Sequence, residues 1–167
     1  FAVNNLGVSE SQLPILFMIS GVCSLAVMPF IGKLSDRMSK FKLFAIATVW
    51  LMVVCVVYTN YSVIPFWLVV LTNVLMMIGI MGRMVPSSAL TSAVPEKQDR
   101  GAFMSINASL QQIAGGIGAA AAGAIVYQET KYSPLINYDI VGYVVVAISF
   151  ISIMLMIRVN RLIKRRK

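Results

Sequence analysis

From Gln12 to Tyr58 the chain reads QLPILFMISGVCSLAVMPFIGKLSDRMSKFKLFAIATVWLMVVCVVY. Two apolar runs, about Gln12 to Ile31 and Leu43 to Tyr58, are joined by a short charged connection from Ser35 to Lys42. A helix rises about 1.5 Å per residue, so about 20 apolar residues cover the hydrocarbon core of a bilayer. A short connection makes consecutive helices antiparallel neighbours. The stretch therefore predicts a hairpin of two membrane-spanning helices with a basic turn.

Three more runs follow, at about Ile64 to Leu90, Ala102 to Tyr127 and Ile140 to Ile157. Connections at Thr59 to Ser62, Pro95 to Arg100 and Glu129 to Asp139 separate them, with Asn60 and Pro65 punctuating the first of these. Backbone groups in lipid must be satisfied within their own segment, so the runs are predicted as helices. They are too long, and alternate too little, for the strands of a membrane barrel. The expected fold is all-α, a single polytopic membrane helix bundle of five spans over residues 1–167.

Composition agrees with the pattern. Of the 167 residues 59% are hydrophobic and 12% charged, with mean hydropathy +0.84. A soluble domain carries about twice that charged fraction, and a globule of this size could not hide so much apolar surface. The net charge of +8 does not point to nucleic acid. Twelve of the 14 Lys and Arg residues sit in three clusters beside apolar runs, and no basic stretch is interleaved with stacking aromatics. Cys23 and Cys55 lie inside apolar runs, without disulfide or metal spacing, and the chain has no histidine. No metal site or cofactor is expected. Because the chain does not begin with Met, and its first run has neither a preceding signal peptide nor a following cleavage pattern, a longer parent protein is expected.

The clusters also set orientation, since cytoplasmic loops carry the excess of Lys and Arg. Lys33, Arg37, Lys40 and Lys42 flank the first connection, Lys97 and Arg100 the third, and Arg158, Arg161, Lys164, Arg165, Arg166 and Lys167 follow the last run. The opposite side has only Lys131, offset by Glu10, Glu129 and Asp139. The N-terminus is expected outside and the C-terminus in the cytoplasm.

The runs differ in character. The second and fifth are apolar almost all round and are expected to face lipid over much of their surface. The third holds Thr72, Asn73, Arg83, Ser87, Ser88 and Thr91, and the fourth holds Asn107, Gln111, Gln112 and a glycine-alanine tract from Ala114 to Ala124. These two are expected to face protein or water. In the fourth run Gly115, Ala119 and Gly123 recur every four residues, a spacing that lets another backbone approach closely.

Two local signatures narrow the reading. Gly32-Lys33-Leu34-Ser35-Asp36-Arg37-Met38-Ser39-Lys40 resembles the cytoplasmic loop signature G-x-L-x-D-R-x-G-R/K of the major facilitator superfamily, with Ser39 in place of the second glycine. Pro95 to Gly101, with Asp99-Arg100-Gly101 opening the fourth run, resembles the start of the eleventh helix in the drug-proton antiporter-like branch. The resemblance covers essentially the whole chain. It implies the C-terminal six-helix half of that fold with its first helix largely missing, so that Phe1 to Ser9 would be the end of the seventh helix and its outer loop, and the five runs would be the eighth to twelfth. It further implies a plasma-membrane transporter, such as one of a bacterial inner membrane, with the missing N-terminal half, the lipid bilayer and a small-molecule substrate as partners, and protons as a possible coupling ion.

Candidate site residues follow. Arg83 is the one charge inside an apolar run, which marks either a cavity-facing functional group or a side chain reaching for the membrane edge. Asn73, Met77, Met84 and Ser87 share one face of the third run, and Asn107 and Gln111 one face of the fourth. By the resemblance the third run lines the central cavity. Methionines beside single polar groups suit a permissive pocket, and equally suit helix packing. Gly32, Asp36, Arg37 and Arg100 are candidates for a conformational latch, the role the resemblance implies, or for ordinary membrane-edge anchors. A carboxylate at Asp36 could meet a helix N-terminus or pair with Arg100.

Function classes narrow accordingly. An intramembrane hydrolase needs a nucleophile with a base, paired aspartates or a metal. This chain has no histidine and no acid deep in any run, so an enzyme is not expected. A proton relay would also need a buried acid, to be supplied by the missing half. The leading expectation is secondary active transport by alternating access, with efflux of a small organic molecule taken from the resemblance. The alternative is a non-transporting membrane scaffold or sensor of the same fold.

Overall fold

The computed structural model describes residues 1–130 and 133–165. Five α-helices account for most of them: α1 Leu13–Arg37, α2 Lys40–Thr59, α3 Phe66–Thr91, α4 Arg100–Ile125 and α5 Tyr138–Arg165. Among the described residues the only extended pairing is an isolated bridge between Tyr127 and Ile136. The expected all-α membrane bundle is the observed fold class.

Four of the five helices are long and apolar enough to cross a membrane. The exception is α4, which has the length, at 26 residues, but not the apolarity. Its polar and glycine-alanine content lowers its hydropathy, as the sequence anticipates.

Helix ends run past the apolar runs. α1 continues through Asp36 and Arg37, leaving only Met38 and Ser39 before α2, so the eight-residue connection expected here is a two-residue turn. Charged and polar residues at a membrane edge can stay helical while their heads reach water. The same effect carries α5 from the expected Ile157 to Arg165. Residues 1–9 hold turns at 2–6 and no helix, so the helical end expected here is absent and the segment is loop.

Helix direction alternates. Thr59 at the end of α2 lies against Gly142 at the start of α5, and Gly82 of α3 against Ala47 of α2. Thus α1, α3 and α5 run one way and α2 and α4 the other. One end of the bundle gathers Lys33, Arg37, Lys40, Lys42, Lys97, Arg100, Arg158 and Arg161. The other gathers residues 1–9, the α2–α3 turn and the α4–α5 connection. Lys131, Arg166 and Lys167, used for the orientation, lie outside the described residues.

The lipid-facing expectation for α2 needs correcting. α2 is the centre of the bundle, packed on both α3 and α5, and Leu43, Phe44, Ala47, Leu51 and Val54 are buried in it. Ile46, Val49, Trp50 and Val53 on its other side are exposed. Both faces are apolar because lipid is as apolar as a neighbouring helix, so hydropathy cannot tell them apart. α3 packs on α1 and α2, while α4 touches only α5 among the described helices and buries no residue.

The α2–α3 crossing is close because α3 offers two glycines. A Cβ at Gly82 would stand 2.8 Å from Ala47 Cβ, and one at Gly79 3.1 Å from Leu51 Cβ. Trp50 Nε1 spans the same crossing and donates to the Leu75 carbonyl at 3.0 Å. Hydroxyls inside the spans are satisfied locally: Thr48, Thr59 and Thr72 donate to Phe44, Cys55 and Leu68 carbonyls, one turn back. Among the described residues no buried side-chain nitrogen or oxygen lacks a hydrogen-bond partner.

At the end away from the basic residues, the N-terminal segment acts as a strap. Leu6 and Val8 are buried against Leu16 and Val69. Asn5 Nδ2 donates to the Leu135 carbonyl at 2.9 Å, and the Leu135 amide donates to Asn5 Oδ1 at 2.8 Å. Phe1 stacks on Tyr138 with ring centroids 3.9 Å apart.

Candidate functional site

A groove of about 480 Å³ with a mixed polar and apolar lining is bounded by α3 and α4, with α2 and α5 behind it. Its α3 wall carries Arg83, Met84, Ser87 and Thr91, and its α4 wall Asn107 and Gln111. Residues three and four apart share a helix face, so α3 turns one stripe into the groove over more than two turns. Phe44 and Leu51 of α2 form an apolar back, and Ser152 adds a hydroxyl from α5. Two other grooves are lined by apolar side chains such as Ile46, Trp50 and Val53. They lie on faces suited to acyl chains.

Five of the seven candidate cavity residues thus converge: Arg83, Met84, Ser87, Asn107 and Gln111. The other two do not join them. Asn73 lies on the same α3 stripe but nearer the strap end, where its side chain meets Ser20 of α1 at 2.7 Å. Met77 is partly exposed between the two regions.

Arg83 is half-buried, roughly two turns before α3 ends at Thr91. Its Nη1 donates sideways to Ser149 Oγ of α5 at 3.5 Å, and Ser149 is 3% exposed. The guanidinium thus reaches sideways to the level of the middle of α5. A bond of that length is weak, and leaves most of the five guanidinium donors available to the groove.

Pro86, fully buried, follows Arg83 in α3. It cannot donate to the Gly82 carbonyl, yet α3 continues through it to Thr91. Its neighbours Met84 and Ser88 remain exposed on the groove side.

The four latch candidates sit at the basic end. Asp36 and Arg37 occupy the last turn of α1, and Arg100 opens α4 after Asp99. Asp36, Arg37 and Arg100 are exposed, and Asp36 makes no ion pair with Arg100 among the described residues. The α1 dipole favours Arg37 and disfavours Asp36 at this position. Gly32 has no atom of another helix within 4 Å of where a Cβ would stand. The close approach expected of the Gly115 and Gly123 spacing in α4 is likewise absent among the described residues, as it is at Gly116 and Gly118.

Nothing in the sequence alone singles out Ser149 and Ser152, because α5 reads as an apolar run. Their one signal is a spacing of three, which places them on one face. Ser20 is hidden in α1 for the same reason.

A sequence model of the Major Facilitator Superfamily matches residues 1–167, the whole chain. No curated protein matches it.

Proposed function

We propose, from the premise that the chain belongs to the Major Facilitator Superfamily, that its α3–α4 groove forms part of the substrate path of a secondary transporter working by alternating access. Family membership makes the chain part of a multi-pass membrane transporter.

The observation that carries it is the convergence of Arg83, Ser87, Asn107 and Gln111 on one groove between two helices of which one, α4, buries no residue against the described residues. Polar side chains at membrane depth are tolerated where they line a cavity or meet another protein surface. An inter-half cavity at the membrane midplane supplies both conditions. The exposed glycine and amide face of α4 is then the surface met by the N-terminal half. The basic end lies in the cytoplasm, where Asp36, Arg37 and Arg100 contribute to a latch that forms in one conformation and opens in the other. The direction is export of a small organic molecule. If protons drive it, the titrating acid lies in the other half, since the acids of this chain stand at helix ends or in connections.

The test is flux. The full-length protein, reconstituted in proteoliposomes, is expected to move a labelled organic compound when a proton or sodium gradient is imposed. Arg83→Gln and Gln111→Leu should each lower that flux at least ten-fold without lowering thermal stability. Gradient-independent behaviour toward a broad panel of compounds would instead support a scaffold or sensor.

A further inference from the structure

The groove has a definite electrostatic character. Among the described residues Arg83 is the only ionisable one lining it. The six acids, Glu10, Asp36, Glu96, Asp99, Glu129 and Asp139, belong to helix ends or connections, and none lines the groove. A guanidinium keeps its proton at any physiological pH, so this positive charge is permanent.

Its other polar neighbours are uncharged. Hydroxyls of Ser87, Ser88, Thr91 and Ser152 and amides of Asn107 and Gln111 ring the groove. Each can donate a hydrogen bond without adding charge. Arg83 has engaged one nitrogen, on a long bond to Ser149, and its planar fork matches a carboxylate in two-point contact. Beside the cation, Phe44, Leu51 and Ile80 present an apolar wall. An organic cation entering here would meet a like charge at low dielectric, with no acid of this chain to offset it.

We infer that the groove selects a small organic carboxylate, whose anionic group pairs with Arg83 and whose apolar body lies against Phe44, Leu51 and Ile80, and that it disfavours organic cations. This rests on reading the groove as the substrate path and adds the class of substrate.

The test is binding to the full-length protein in nanodiscs of zwitterionic phosphatidylcholine, which keeps anionic lipid away from Arg83. Salicylate, its uncharged analogue salicylamide, and the cation tetraphenylphosphonium are titrated by calorimetry. Salicylate is expected to bind at least ten-fold more tightly than salicylamide, the scale of one charged hydrogen-bonded contact. Arg83→Gln should abolish that difference and Arg83→Lys should keep part of it. Asn107→Asp, which adds a carboxylate beside the groove, should shift preference toward tetraphenylphosphonium, and covers the case in which Arg83→Gln does not fold. The inference is overturned if salicylate shows no advantage, if no probe binds, or if the advantage survives Arg83→Gln. Flux in proteoliposomes separates the two readings. Salicylate binding without gradient-driven flux would remove the transporter mechanism and leave the anion preference, whereas driven flux of the cation would do the reverse.

Discussion

The side chains of Ser20 and Asn73 meet across α1 and α3 at 2.7 Å. Ser20 Oγ also lies 2.7 Å from the Leu16 carbonyl. A hydroxyl has one proton, so when it donates to Leu16 the Asn73 amide must turn its Nδ2 toward Oγ and donate in return. Either arrangement ties the two helices in a region where hydrophobicity offers no preference between helix and lipid.

Removing either partner should loosen that tie. Ser20→Ala and Asn73→Leu are each expected to lower thermal stability in detergent, with a coupling of about 0.6 kcal/mol in a double-mutant cycle. Asn73→Leu should leave salicylate binding within about two-fold, because Asn73 stands away from the groove. A cycle with no coupling would show that the pair does not join the helices.

A second prediction concerns the α2–α3 crossing. Gly82→Ala sets a Cβ 2.8 Å from Ala47 Cβ, an atom fixed to backbone that has no flexible end to move. The expected loss is about 1–3 kcal/mol, the usual cost of overpacking, with part restored by adding Ala47→Gly. Gly101→Ala, which meets nothing within 4 Å, is the matched control and should be near neutral. Equal melting temperatures for the two alanine variants would contradict this crossing.

These two sites show what the sequence made legible. Four helices could be read from apolar length, since lipid imposes one requirement on every span, whereas α4 has the length without the apolarity. Their ends were missed by several residues where Asp36, Arg37 and Arg158 to Arg165 stay helical beyond the hydrocarbon. The convergence of Arg83 with Ser87 followed from helical spacing, and polarity marked Asn107 and Gln111 on α4. The position of α2 at the centre could not be read, because Leu51 against α3 and Val53 toward the outside are equally apolar. Nor could the separation of Asn73 from Met84: they share a stripe, and only the packing of α1 assigns Asn73 to Ser20.

The uncovered face of α4 gives a third prediction. Gly118→Leu is expected to leave the stability of the five-helix bundle unchanged, since a Cβ there meets nothing within 4 Å. In the full-length transporter the same change should lower flux at least ten-fold, because the proposed partner half needs that face for close approach. Unchanged flux would mean that no helix packs there.

The latch candidates yield a fourth. Asp36 is exposed in the last turn of a helix whose dipole disfavours it, so Asp36→Asn should not reduce resting stability. It should slow flux if Asp36 pairs with a cation in another conformation. Arg100→Gln should produce the same effect, and the double variant no more than either alone. Additive losses would assign the two residues to separate roles.

The last prediction concerns sidedness. The geometry places Ser39 at the basic end, between α1 and α2, and Ser62 at the strap end, between α2 and α3. Both are exposed, and the positive-inside rule assigns the basic end to the cytoplasm. Cys23 and Cys55 are half-buried within spans and are replaced by Ala to remove background. In intact cells a membrane-impermeant maleimide should then label Ser62→Cys and spare Ser39→Cys, and permeabilisation should expose both. The reverse pattern would turn the bundle over in the membrane. It would also put the proposed latch on the outer side, where the excess of Lys and Arg at that end would have no account in the charge rule.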